Sequence, residues 1–289
     1  MSSNIQNYFI DSITLRNVFF WIILLIMILT VLFPIIWLFI NSFKDNIEVY
    51  KIPPTWRIEN PTLDVYRNVI AGTERTMPWY NFIVNSIVVG LFTSLIATTI
   101  SAMAGYAFAR FPSRIMNTLL VITLLALMLP GPAIIIPLAG IILKMGLYDT
   151  LLGLIFTHSA LVLPFLIWLS VGNFRAIPIE LEEAAMVDGC TRFSSFLRIA
   201  LPSAKIGLAT SAIFSFLISW GDYPFALILL NDREKFTVPL GLATYITEFN
   251  IWWNQLAVAT LITLIPVLIF VGFAHQHVRS GILAGAIKG

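Results

Sequence analysis

Residues 177–202, IPIELEEAAMVDGCTRFSSFLRIALP, form the only sizeable polar island in the second half of the chain before its C-terminal tail. Apolar runs enclose it on both sides. Pro178 suits the first turn of a helix, where its fixed φ fits and its missing N–H costs nothing. Glu180, Glu182 and Glu183 crowd that turn, where carboxylates face the positive end of the helix dipole. Ala184, Ala185 and Met186 continue the helix. Asp188-Gly189 ends it, because glycine tolerates the positive φ of a sharp turn. Thr191 is placed to cap a second short helix, in which Phe193, Phe196, Leu197 and Ala200 share one face beside Arg192 and Arg198. Leu201-Pro202 closes it. The stretch predicts an angled helix–turn–helix at a membrane surface. Its residues alone also fit an amphipathic loop lying in the lipid interface.

The surrounding sequence places that surface. Of 289 residues, 58% are hydrophobic and 11% charged, and the mean hydropathy is +0.90. A soluble domain is far less apolar. A hydrocarbon core of about 30 Å needs roughly 20 apolar helical residues. Charge-free windows of that size are 17–43, 76–109, 115–143, 150–174 and 249–278, with a shorter one at 206–221. They predict an all-α polytopic membrane domain over 1–289 with six spans, at about 18–40, 81–108, 116–143, 151–171, 205–225 and 255–273. The first apolar run is too long for a cleaved signal and no A-x-A-type site follows it. The single Cys190 excludes an intramolecular disulfide.

In chain order, Pro34 is expected to kink span one. Residues 41–80 read as a solvated loop with a short interfacial helix near Leu63–Ile70, and they also fit a cap over the outer mouth of a pore. Span two is rich in small residues, Ser86, Gly90, Ser94, Ala97, Ser101, Ala102, Ala104 and Gly105, which let helices approach closely in lipid. Pro130, Pro132 and Pro137 are expected to kink span three and to mark it as buried in a bundle or bordering a cavity. His158 in span four is expected to face the bundle interior, a proton-relay or ligand role being the sharper alternative. Asp222, between Trp220 and Tyr223-Pro224-Phe225, fits either an interfacial exit or a wet vestibule where aromatic rings stack on a sugar. Residues 226–253 connect to span six, with a dip back into the membrane open along Phe225–Leu230. His275 and His277 are too few ligands for a metal site.

The spacing Glu183-Ala184-Ala185, three residues, Gly189, nine residues, Ile199, one residue, Leu201-Pro202 resembles the EAA loop of ABC importer permeases. AGYAFARFPSR (104–114), Met128-Leu129-Pro130, Ile136-Pro137-Leu138, Leu147–Gly153, Pro164–Leu169, Trp220–Phe225 and the ending GILAGAIKG extend the resemblance from span one onward. The chain is similar to the carbohydrate-uptake, maltose-type class of these permeases and to its G-type subunit. The resemblance implies an F-type permease partner, two ABC ATPase subunits and an extracytoplasmic solute-binding protein, in a bacterial or archaeal plasma membrane. Glu183, Ala184, Ala185, Met186, Asp188, Gly189, Phe193, Phe196, Ile199, Leu201 and Pro202 would form the ATPase-coupling loop, with Met186, Phe193 and Phe196 as knobs in a groove of the ATPase. Trp220, Asp222, Tyr223 and Phe225 would border the translocation path. Gly281, Ile282, Leu283, Gly285, Ile287 and Lys288 would touch the ATPase pair.

With that loop inside, six spans put both termini in the cytoplasm, and Lys plus Arg divide 9 inside to 8 outside. The positive-inside rule barely separates the two orientations. No GxxxxGK[ST] sequence occurs, so ATP and Mg would bind the ATPase subunits and no cofactor or metal this chain. No nucleic-acid partner is expected. The transported solute is expected to be a sugar, with a polyol or glycerol-3-phosphate importer as the neighbouring alternative. An ion-coupled secondary transporter would need ionisable groups at mid-membrane, where only His158 and Asp222 qualify. An intramembrane enzyme would need a paired nucleophile and base, and none is visible.

Overall fold

The structure, a computed structural model, describes residues 2–72 and 77–286; for 2–16, 271 and 273–286 it describes the backbone alone. Every regular element among the described residues is helical. That suits lipid, where each segment must satisfy its own backbone donors and acceptors. The chain divides into two compact units, Met1–Val69 with Thr247–Ile262, and Ile70–Ile246 with Thr263–Gly289.

In the first unit, α1 (Ser2–Ser42) stays helical through Pro34. The following segment folds more tightly than a solvated loop. Lys44 is 1% exposed; its ammonium donates to the carbonyl and hydroxyl of Thr55 and lies over the Trp37 ring. Glu48, on the short α2 (Asn46–Val49), is also buried and accepts from the backbone N–H groups of Glu59 and Asn60. Buried charges persist only when so partnered. The expected interfacial helix is α3 (Asp64–Ala71), whose Val65 and Val69 are buried.

The second unit is built on α4 (Trp79–Arg110), with Ser86, Gly90, Ser94, Ala97, Ser101, Ala102 and Gly105 all buried along it. A methyl group at Gly105 would collide with Ser170 of the neighbouring helix, so this position needs glycine. The next apolar stretch, expected as one kinked span, is a break. α5 (Arg114–Ala126) and α6 (Gly131–Lys144) meet at 106°. Pro130 sits extended at ψ 131° as the residue that precedes α6, and Pro132 lies in the first turn, where its missing N–H costs no helical hydrogen bond.

α7 (Leu151–Arg175) is capped by Thr150, and α8 (Glu180–Val187) begins two residues after Pro178, which therefore precedes the helix instead of opening it. α9 (Arg192–Ser195) widens into a π turn over Phe196–Ala200 and ends as α10 (Leu201–Ser203). The chain bends 74° into α11 (Lys205–Gly221). The segment along Phe225–Leu230 is α12 (Pro224–Leu229), with Phe225, Ala226, Leu229 and Leu230 packed against Val89, Ile142 and Leu154. A 3-10 turn at Arg233–Lys235 leads to α13 (Val238–Ala243), and α14 (Trp253–Ala286) is the last described helix.

Among the described residues four stretches are long and apolar enough to cross a membrane, Asn17–Ser42, Trp79–Arg110, Leu151–Arg175 and Trp253–Phe270; counting each bent pair as one span gives up to six. Asp149 joins the α6–α7 turn to the region after α12. It holds a left-handed φ of 55°, and its carboxylate accepts from the N–H groups of Asn231 and Asp232 and from the Lys235 ammonium. Those donors hold the Asp149 carboxyl below its usual range. Chiefly through its bond to Asp149, the Lys235 ammonium is raised above its own.

Candidate functional site

The segment 177–202 folds as a helix–turn–helix. α8 ends in a Schellman motif: Cys190 N–H donates to Ala185 O at 2.9 Å and Gly189 N–H to Met186 O at 3.1 Å. Gly189 takes φ +91°, a region costly for residues with a Cβ. Thr191 Oγ1 then accepts from Ser194 N–H and starts α9. Glu183, Ala184, Asp188, Gly189 and Pro202 face outward, while Ala185, Met186, Ile199 and Leu201 are half-buried.

The apolar residues of the second helix divide. Phe193 is 65% exposed, but Phe196 is buried, with its ring 4.6 Å from Tyr106 and 6.2 Å from Phe174. Phe196 is thus a knob into this chain's own core, with Ala102, Ala200 and Leu208, and is not free to enter a partner's groove. Phe193 and Leu197 border a cleft of about 240 Å³ with Thr98, Ala102 and Met103. The outward apolar side chains on α8 are Leu181 and Val187, the latter 87% exposed.

Behind the loop lies a buried ion pair. Glu182, 3% exposed, turns inward from the first turn of α8 while Glu180 and Glu183 stay outside. Its Oε1 accepts from Arg110 Nε at 2.8 Å and lies 2.8 Å from Nη2; its Oε2 accepts from the Tyr106 hydroxyl at 2.6 Å. Arg110 Nη2 also donates to Ile177 O at 2.9 Å. Both charged side chains are under a tenth exposed. Tyr106 and Arg110, four residues apart, share one face of the last turns of α4. That spacing is visible in the sequence, but nothing in it selects Glu182 from three neighbouring glutamates.

A second pair lies between α7 and the end of α11. His158 is buried, its Nδ1 2.8 Å from Ser219 Oγ, its Nε2 3.1 Å from Asp222 Oδ2. The latter approach is poorly aligned for a hydrogen bond, so the contact is mainly electrostatic. Asp222 Oδ2 accepts from Ala226 N–H and so holds the start of α12. His158 and Asp222, sixty-four residues apart, are thus brought together. Of the residues expected along a path, Trp220 is buried and stacked on Phe216, Phe225 lies in the core, and Tyr223 is exposed.

The backbone of α14 continues through the expected tail to Ala286. The side chains of His275, His277, Gly281, Ile282, Leu283 and Gly285, and all of Ile287 and Lys288, lie outside the described residues. Among the described residues no three His, Cys, Asp or Glu groups converge as a metal site.

A helix–turn–helix with a glycine turn is thus set between long apolar helices. Residues 97–283 match the family model described as "Binding-protein-dependent transport system inner membrane component". The chain belongs to this family of multi-pass inner-membrane ABC transporter permeases. The chain is 31% identical over 276 residues to the "Inner membrane ABC transporter permease protein YcjP" of Escherichia coli K12, covering 96% of this chain and 98% of that one. It is 34% identical over 265 residues to the "Trehalose transport system permease protein SugB" of Mycobacterium tuberculosis, covering 89% and 93%. Its fold resembles a chain of a bacterial ABC transporter involved in import of the acidic polysaccharide alginate, with TM-score 0.74, 23% identity and coverage of 91% and 96%.

Proposed function

We propose that the chain is the G-type permease subunit of a carbohydrate importer. On this reading the 177–202 loop lies on the cytoplasmic face, where it docks on an ABC ATPase, and six spans then put both termini in the cytoplasm as well. The observation that carries this reading is the loop itself. Its Schellman turn presents Glu183, Ala184 and Gly189 outward beside the exposed Leu181 and Val187, while Phe196 and Glu182 anchor it from behind. The functions named for relatives, trehalose transport for one and alginate import for a structural neighbour, support a carbohydrate as the cargo.

On this reading an F-type permease completes the pathway, and a solute-binding protein delivers substrate outside. Two ATPase subunits bind ATP and Mg and do the hydrolysis. The chain itself contributes positioning: the loop moves as a body when the ATPases close, and the spans pass from inward-open to outward-open. Tyr223 and Asp222 are its candidates for the path, and the tail from Gly281 to Lys288 contacts the ATPase pair. Co-purification tests it. The tagged chain should bring down an ATPase subunit and a second permease, and Gly189→Asp should keep the chain inserted while weakening docking or uncoupling hydrolysis from uptake of labelled trehalose or a related disaccharide. Isolation of a chain that transports without any ATPase would favour the ion-coupled alternative and sink this reading.

A further inference from the structure

α8 has three routes by which a push could enter the membrane. Two are covalent and both are bent. Towards α7 the chain runs through Ala176-Ile177-Pro178-Ile179 outside regular helix, and towards α11 it turns by 74° after Ser203. Bends of this kind absorb rotation in a few φ/ψ angles. The third route is not covalent. Arg110 closes α4, and its guanidinium holds both the Glu182 carboxylate and the carbonyl of Ile177, the residue just before α8. Tyr106, one turn back on the same helix, takes the other carboxylate oxygen and stacks its ring near Phe196 on the following helix. α4 is therefore fastened at three points, before α8, on its first turn and behind the next helix.

The chemistry favours a rigid fastening. Arginine keeps its charge and presents a planar fork whose geometry suits a carboxylate. With the pair under a tenth exposed, separation would strand both charges away from water. Small movements of α8 are then more easily followed by α4 than absorbed at the joint.

We propose that Glu182, Arg110 and Tyr106 are positioning residues that transmit the movement of the docking loop into α4. The proposal rests on the ATPase-docking reading and goes beyond it by naming the element that carries the motion. α4 has 32 residues, and from Tyr80 to Arg110 it rises about 45 Å at 1.5 Å per residue, so a tilt set at the Arg110 end displaces the far end.

Two reporter cysteines in the intact complex separate the possibilities, in a Cys190→Ser background because Cys190 is the single native cysteine. Glu180→Cys, outside the docking face, reports on α8 and Tyr80→Cys on the far end of α4; both native side chains are exposed. Spin labels at these positions are read with and without AMP-PNP and Mg. With the native latch, both labels should respond to nucleotide. In Glu182→Gln the Glu180 label should still respond and the Tyr80 label should lose its response. Arg110→Lys, which keeps the charge but not the fork, should give a partial loss. If Glu182→Gln does not assemble, Arg110→Met/Glu182→Leu removes both charges together and should show the same loss at Tyr80. A Tyr80 response unchanged in these variants, or absent with the native latch while Glu180 responds, overturns the proposal. A silent Glu180 label with the native latch instead overturns the docking reading, and the proposal falls with it.

Discussion

Two carboxylates of the second unit meet a basic side chain in different ways. At the end of α4, Arg110 meets Glu182 through aligned, short hydrogen bonds, with both charged side chains under a tenth exposed. Between α7 and α11, Asp222 approaches the buried His158 ring off-axis at 3.1 Å. The first contact fastens the start of α8 to the end of α4. The second, with the Asp222 bond to Ala226 N–H, holds the break between α11 and α12. Alignment separates a rigid joint from a looser one.

The largest effect should come from breaking the first pair on one side. Glu182→Ala leaves Arg110 buried without a counter-charge and should cost about 3–5 kcal/mol, whereas Arg110→Met/Glu182→Leu should lie near the native stability. Thermal unfolding of the detergent-solubilised complex reads both. Equal losses in the single and double variants would mean that stranded charge is not the reason for the pair's rigidity.

The corresponding change in the second pair should be milder. Asp222→Asn disturbs a misaligned contact and weakens one acceptor for Ala226 N–H, so about 1 kcal/mol is expected in the same assay. A loss as large as that of Glu182→Ala would erase the distinction between the two joints.

Gly189→Ala should cost about 1 kcal/mol, all of it conformational. The φ of +91° disfavours a Cβ, yet nothing lies within 4 Å of where that Cβ would stand. Gly189→Asn, which tolerates left-handed backbone, should recover most of it. If Asn is as damaging as Ala in co-purification with the ATPase, the outer surface of the turn matters more than its geometry.

The smallest effect belongs to a third ion pair, Asp149 with Lys235, which is partly exposed and so screened by salt. It calibrates the buried two. The depressed Asp149 carboxyl stabilises the fold above the ordinary carboxylate range, and that contribution is lost as pH falls through its lowered folded value. The raised Lys235 contributes below its ordinary value near 10.5 and loses its effect as pH rises through the higher folded one. The difference in unfolding temperature between the native chain and Asp149→Asn should therefore persist at neutral pH and vanish in acid. A difference that is constant with pH would assign the effect to the hydrogen-bond geometry alone.

Much of this was legible as pattern. Apolar windows, small residues on α4 and the Gly189 turn each follow from local chemistry, and the structure places Thr191 where a cap was expected. Side-chain partnerships over long separations were not legible. Glu182 looks like a dipole-favoured carboxylate until α4 delivers Arg110 beside it, and Phe196 looks like an outward knob until Tyr106 and Phe174 enclose it. The 130–132 region failed for another reason. Proline alone does not distinguish a kink from a break; two prolines around one glycine, with Pro130 extended, made the difference. The polar composition of residues 41–80 reads as solvation, whereas backbone groups of the same segment satisfy the buried Lys44 and Glu48.

The first unit carries a consequence for biosynthesis. Its early segment is completed by residues made near the end of the chain: Asn254 donates to Lys44 O and to Asn46, and the Tyr50 hydroxyl donates to Asn250 and Ile251. A ribosome adding about 5–20 residues per second needs roughly 10–40 s to travel from Tyr50 to Asn250. Throughout that interval the carbonyl of Lys44 and the side chain of Asn46 lack the Asn254 donor, and the Tyr50 hydroxyl lacks both its acceptors. A segment made early is thus completed late, and it waits on residues about two hundred positions further along the chain.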